Sequence, residues 1–212
     1  VDAIGNGLTT SPSTSTRQPG LDFPPFTIRD MVASQRALID HLGIRRLKAV
    51  IGASMGGMQA LQWAVSHSDR LRSVVAMTPM AKTSPWAVAI NEASRRALRA
   101  DPVMLARDPT AAVPDITAVP RSPDHPDGWS AWVPLMQLIS GRTPQQVDGA
   151  FDSADAVIAW IRERSDWWRA QRFAAVDWLY QSRAYDAHDV GTTPGFGGDT
   201  AKALACLLYT SP

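Results

Sequence analysis

The 212-residue chain carries 21 basic and 20 acidic side chains, a net charge of +1, with 45% apolar and 19% charged residues. That balance supplies no basic field for nucleic acid or an anionic membrane surface, and the length suits one core plus an insertion. One cysteine, Cys206, leaves no internal disulfide framework and fits a reducing compartment. No apolar run approaches the roughly 20 residues that span a bilayer, and no basic segment followed by an apolar stretch marks a signal peptide. The expectation is a cytoplasmic protein acting on a small molecule.

In chain order, Val1 to Gly7 reads as the end of a strand running into a glycine-rich loop, and residues 5–26 are rich in Gly, Ser, Thr and Pro. Thr27 and Asp30 form a capping pair at the start of a helix. Its apolar stripe is Ile28, Met31, Val32, Leu38, Ile39 and Leu42, and Gly43 ends it. Leu47–Gly52 is a short apolar strand, Met58–Val65 a buried helix, and Arg72–Met77 a second strand. Helix and strand alternating in this way predict a parallel sheet covered by helices.

After Pro79 the texture changes. Seven of the eight tryptophans lie between residues 86 and 178, where no strand pattern appears. Helices are expected over 86–99, 129–140, 143–151 and 153–184, with a proline-rich stretch at 109–126. The expected organisation is a sheet core over 1–80, a helical cap over 81–190 and a return to the core over 191–212. A cap of this kind restricts water and shapes specificity. Both ends read as interrupted, and residues 206–212 break the character of the helix that starts at Asp199, as a non-native tail would.

Gly52-Ala53-Ser54-Met55-Gly56-Gly57 stands between the first strand and the helix after it. Gly-x-Ser-x-Gly in that position is a nucleophile elbow. The turn is strained, so small neighbours are expected at Gly52 and Gly56, while Gly57 lets the helix approach the strand. Ser54 would present its hydroxyl at the helix N-terminus, where the Met55 N–H can stabilise an oxyanion.

The residues around the elbow carry a resemblance. Thr27-Ile28-Arg29-Asp30-Met31-Val32, Leu42-Gly43-Ile44, the run Gly52 to Ala64, Asp69-Arg70, Asn91 to Leu98 and Asp101-Pro102 look like the homoserine O-acetyltransferase family. The match is strong over 27–102 and loose over 103–184. Gly5-Asn6-Gly7 and the run Ala184 to Val190 look closer to hydrolase relatives. The resemblance implies an α/β-hydrolase fold, here with N- and C-terminal strands missing, and a Ser-Asp-His triad working by ping-pong acyl transfer. No bound cofactor is implied; acetyl-CoA or another acyl-CoA would be a co-substrate, and a homodimer is the implied assembly. In family order the acid and histidine follow the cap on later strands, beyond residue 212. Three readings stay open: acyltransferase to a hydroxyl acceptor such as homoserine, hydrolase of an ester or related bond, and inactive fragment.

Other candidates have plainer readings. His41 ends a helix, His67 follows the elbow helix and His125 sits in the proline-rich stretch. His188 follows the cap between Asp186 and Asp189, and a pocket-lining role is expected for it rather than that of the base. Arg142, in Leu138-Ile139-Ser140-Gly141-Arg142-Thr143, resembles a cap arginine that binds an amino-acid carboxylate in bidentate fashion; a surface arginine is the alternative. Trp160, Trp167, Trp168 and Trp178 are expected to pack cap helices together. The Arg45-Arg46 and Arg95-Arg96 pairs read as solvated faces. No metal-ligand spacing is present, and Gly195-Phe196-Gly197-Gly198 lacks the strand and lysine of a phosphate loop.

Overall fold

Thr27 nucleates the first long helix because its side chain accepts from the Asp30 N–H while the Asp30 carboxylate accepts from the Thr27 N–H at 2.8 Å. In the computed structural model, which describes residues 1–6, 8–101, 128–171 and 174–209, this helix is α1 (Ile28–His41). Leu42 caps it and Gly43 takes a left-handed φ of 70°, the conformation that glycine adopts without a Cβ penalty.

β1 (Val50–Ala53) and β2 (Val74–Met77) pair in parallel, Val50 opposite Val74 through Ala53 opposite Met77. They are joined by α2 (Met55–Ser66). Both strands are shorter than the apolar runs that encode them. Before them the ladder thins to an isolated bridge between Leu47 and Leu71. The expected strand at the N-terminus is not formed: residues 1–6 have no strand partner among the described residues.

The chain divides into two compact units. The first takes residues 1–11, 24–84 and 180–212. Its core packs Val32 and Ile39 of α1 against Trp63 and Ala64 of α2, with Leu71 and the strand residues Val50 and Val74. A neighbouring cluster joins Val65, Val190 and Ala203. Leu207 packs against both clusters, so the segment from Cys206 begins inside the fold. The opposite sheet face is open: Ile51, Val75 and Met77 are 65%, 46% and 48% exposed.

The second unit takes residues 12–23 and 85–179. It contains α3 (Pro85–Arg99), α4 (Gly128–Val133), α5 (Pro144–Asp148) and α6 (Ala154–Ala170). α7 (Ala175–Asp186) belongs to this unit as far as Leu179 and to the first from Tyr180.

Two expected helices are interrupted. The one over 129–140 gives way at Pro134 to a π-helical turn, Pro134–Ile139, because proline has no N–H for the helical ladder. The one over 153–184 ends at Ala170 and restarts at Ala175.

The core of this unit is a tryptophan cluster. Trp132 meets Trp129, Trp168 and Trp178 edge-on, at centroid distances of 5.2, 5.0 and 5.3 Å. Trp160 packs there as expected; Trp167 meets Trp168 edge-on at 5.1 Å but stays 43% exposed, with the Arg164 guanidinium 4.4 Å from its ring. The expected proline-rich stretch lies outside the described residues. The last α-helix among the described residues, α8 (Thr200–Ala205), is capped by the Asp199 side chain and runs into a 3-10 turn, Cys206–Tyr209.

Candidate active site

The turn between β1 and α2 has a backbone that only a few residues tolerate. Ser54 sits at φ 53° and ψ −120° as the N-cap of α2, outside the regions open to ordinary L-residues. A serine at an N-cap normally spends its hydroxyl on the free amides of the first turn. Here the side chain makes no capping bond. Ser54 is exposed, and its hydroxyl has no hydrogen-bond partner among the described residues. The first helical bond runs from the Met58 N–H to the Ser54 carbonyl at 3.0 Å. The N–H groups of Met55, Gly56 and Gly57 therefore precede the ladder, at the positive end of a 12-residue helix.

The glycines divide the steric work unevenly. A Cβ on Gly52 would overlap the Gly56 carbonyl, and one on Gly57 would come within 2.9 Å of the Met77 carbonyl oxygen. Around Gly56 no other described residue comes within 4 Å of where a Cβ would stand. The expected need for a small residue at Gly56 is thus not met by its surroundings; Gly57 carries that constraint, because α2 crosses the end of β2 there. The Met77 carbonyl also accepts the Ser54 N–H at 3.0 Å, which ties the turn to the neighbouring strand.

Beside this turn a groove of about 480 Å³ follows β1, lined by Asp2, Gln35, Val50, Met55 and Gln59 among others. Its polar wall is ordered. Trp63 Nε1 donates to Gln35 Oε1 at 2.7 Å, and Gln35 Nε2 donates to Gln59 Oε1 at 2.6 Å. Gln59 Nε2 reaches the Met55 carbonyl at 3.4 Å. The sequence reading passed over Gln35 and Gln59. The available signal was the pair of glutamines, Gln59 and Gln62, in the otherwise apolar run of α2.

The histidines are spoken for or remote in their chemistry. His41 is exposed at the end of α1. His67 ends α2, with Nδ1 2.9 Å from Arg36 Nη1, and burial together with that guanidinium lowers its pKa. His125 lies outside the described residues. His188 is 4% exposed; its ring bonds the Met80 backbone, while Nε2 has no partner among the described residues. Burial pushes its pKa down to about 4, so the ring is neutral.

His188 is not among the residues that line this groove. Asp189 does not orient it either. That carboxylate accepts from the Gly191 N–H, from Thr200 Oγ1 and from Lys82 Nζ, at 2.8, 2.7 and 3.0 Å. No histidine bonds Ser54 Oγ among the described residues.

Ser54, Met55 and the three glycines thus share one turn in the first unit, whereas Arg142 belongs to the second. Its guanidinium stacks 4.8 Å from the Trp160 ring centroid. At that distance cation–π attraction holds the guanidinium against the ring. Among the described residues no cluster of His, Cys, Asp and Glu could hold a metal, and no helix is long and apolar enough to cross a membrane.

Residues 1–119 match the model of a family described by the α/β-hydrolase fold. The homoserine O-acetyltransferase of Zymomonas mobilis is 35% identical over 200 residues, covering 92% of this chain and 52% of that protein. Among solved structures, a point mutant of esterase E22 superposes with a TM-score of 0.75 at 27% identity, covering 96% of this chain and 58% of that one. The acetyl esterase MekB gives 0.73 at 25% identity, covering 94% and 55%. The chain spans about half the length of the curated relatives it matches.

Proposed function

The chain belongs to the α/β-hydrolase fold family, and from that premise we propose that Ser54 is the nucleophile of an acyl transfer enzyme of the homoserine O-acetyltransferase type. The observation that carries the reading is a serine held at φ 53° between strand and helix, with its hydroxyl withheld from capping. A residue placed at that cost, with its reactive atom free, is what nucleophilic catalysis requires. The curated homoserine O-acetyltransferase named above supports this direction of the chemistry.

In the proposed reaction Ser54 Oγ attacks the carbonyl carbon of an acyl-CoA thioester as a general base takes its proton. The Met55 N–H faces the oxyanion, together with a second donor. The C–S bond then breaks, and the thiol leaves with the proton returned by the base. The acyl-enzyme next meets a hydroxyl acceptor such as homoserine: its oxygen attacks, the base takes its proton, and Ser54 is released carrying a proton again. The base and its orienting acid are assigned to the polypeptide beyond these residues. Arg142, stacked on Trp160, is the proposed partner for an acceptor carboxylate. The acyl-CoA is a substrate rather than a resident cofactor, and the helical second unit is given the specificity role.

The protein encoded by the whole gene provides the test. Thiol release from acetyl-CoA should depend on homoserine, and Ser54→Ala should reduce it by about 10⁴-fold or more, as loss of a nucleophile does. Unchanged turnover in Ser54→Ala would remove the nucleophile. A second reading, hydrolysis of an ester with water as acceptor, is favoured by the likeness to MekB and esterase E22. Turnover of p-nitrophenyl acetate without any response to homoserine would select it.

A further inference from the structure

Ser54 is one of two strained residues at this place. Among the described residues the non-glycine positions at positive φ are Ser54, at 53°, and Thr78, at 46°. The β1–β2 register makes them neighbours, because Ala53 pairs with Met77 and each strained residue follows one of that pair. Adjacent strands lie about 4.8 Å apart, so the two side chains start within reach of one small molecule.

Thr78 is a poor choice for its backbone. It is β-branched, which makes a positive φ a genuine outlier, and it precedes Pro79, which drives the preceding residue toward extended conformations. Such a conformation persists only where the surroundings over-determine it, and here both flanks are held. Before it, the Met77 carbonyl is fixed by the Ser54 N–H. After it, Met80 is bonded by the His188 ring, and the Ala81 carbonyl accepts the Val190 N–H at 2.9 Å. The Thr83 N–H donates to the His188 carbonyl, also at 2.9 Å, and Lys82 pairs with Asp189.

The turn itself would be better served by glycine, which takes this φ freely. The threonine side chain returns nothing locally: it is exposed and its hydroxyl has no hydrogen bond among the described residues. A local rule broken without structural compensation points to a functional side chain.

We propose that Thr78 is a specificity-determining residue whose hydroxyl binds the hydroxyl-bearing acceptor of the acyl group. This rests on Ser54 being the nucleophile. The acyl oxygen is served by backbone N–H groups and the thiol departs as a leaving group. The incoming O–H is the group that must be oriented, with its hydrogen turned toward the base and its lone pair toward the acyl carbon. A side-chain hydroxyl can donate to the acceptor oxygen's second lone pair and hold it in that orientation.

The test uses the protein from the whole gene with Thr78→Val, Thr78→Ser and Thr78→Gly. Single-turnover thiol release from acetyl-CoA reports acylation of Ser54, and steady-state turnover reports the acceptor, homoserine or water. The expected result is acylation within twofold of wild type in all three variants. With homoserine as acceptor, its KM should rise roughly fivefold to tenfold in Thr78→Val and Thr78→Gly, the worth of one hydrogen bond. Thr78→Ser should restore it. If water is the acceptor, the deacylation rate should fall by the same factor. Thr78→Gly should also melt no lower than wild type, which separates the lost contact from a damaged fold.

Unchanged acceptor kinetics in Thr78→Val and Thr78→Gly would overturn the proposal while leaving Ser54 in place. A loss confined to acylation would overturn the acceptor assignment. Absence of any Ser54-dependent acylation in the wild type would overturn both.

Discussion

At the scale of single residues, the glycines of the elbow differ in what they tolerate. Gly52→Ala drives a methyl group into the Gly56 carbonyl, a backbone atom that cannot rotate away. The expected loss is about 3 kcal/mol or more of stability, read from the denaturant midpoint. Gly56→Ala meets open space and adds helix propensity, so its midpoint should stay within about 1 kcal/mol of wild type. Equal losses at the two positions would contradict this geometry.

His188 makes a second residue-scale prediction. Its pKa is lowered to about 4 by burial from an ordinary value near 6.5. The unfolded chain therefore binds the proton more readily, and stability falls as pH drops from about 6.5 to about 4, then levels for this group. The expected size is on the order of 3 kcal/mol. Asp40, Glu92 and Asp189 are also lowered: guanidinium partners act on the first two, while Asp189 resists burial through bonds from Thr200, Lys82 and Gly191. Their contributions are lost at lower pH, through the carboxylate range. Melting curves of wild type and His188→Asn between pH 7 and pH 4 should show a shallower slope for the variant above pH 5; parallel slopes would refute the assignment.

At the scale of elements, the capping box is the clearest instance of local sequence setting a boundary. Thr27 and Asp30 bond each other's backbone, and α1 carries Met31, Val32 and Ile39 into the core. Thr27→Ala should cost about 1 kcal/mol, measured by thermal or chemical unfolding, without altering the elbow. A change below about 0.3 kcal/mol would show that packing alone fixes this helix start. The tryptophan cluster shows the opposite case. Spacing places tryptophans on helical segments, but it does not single out Trp129 and Trp132 as the buried members and Trp167 as an exposed one. That selection depends on which helix faces meet.

At the scale of the whole molecule, the described residues cover one face of the sheet and leave the other open. Ile51, Val75 and Met77 present an apolar strip on the exposed face. Exposed apolar surface of this kind promotes association. The isolated 212-residue chain should bind a hydrophobic dye and elute from size exclusion above monomer size as its concentration rises. A monodisperse monomer that ignores the dye would contradict the open face.

The sequence by itself determined the capping box at Thr27, the order helix, strand, helix, strand, and the turn that exposes Ser54. Each of these is written in residues close together, where backbone preference and apolar period act directly. Only the tertiary structure decided that Gly56 has room around it, that Asp189 serves a loop rather than His188, and that Thr78 stands strained beside Ser54. Those outcomes depend on residues far apart in the chain, whose encounter at the ends of β1 and β2 is fixed by strand register and burial. The firmest feature of the sequence thus acquired a neighbour that no local pattern could have named.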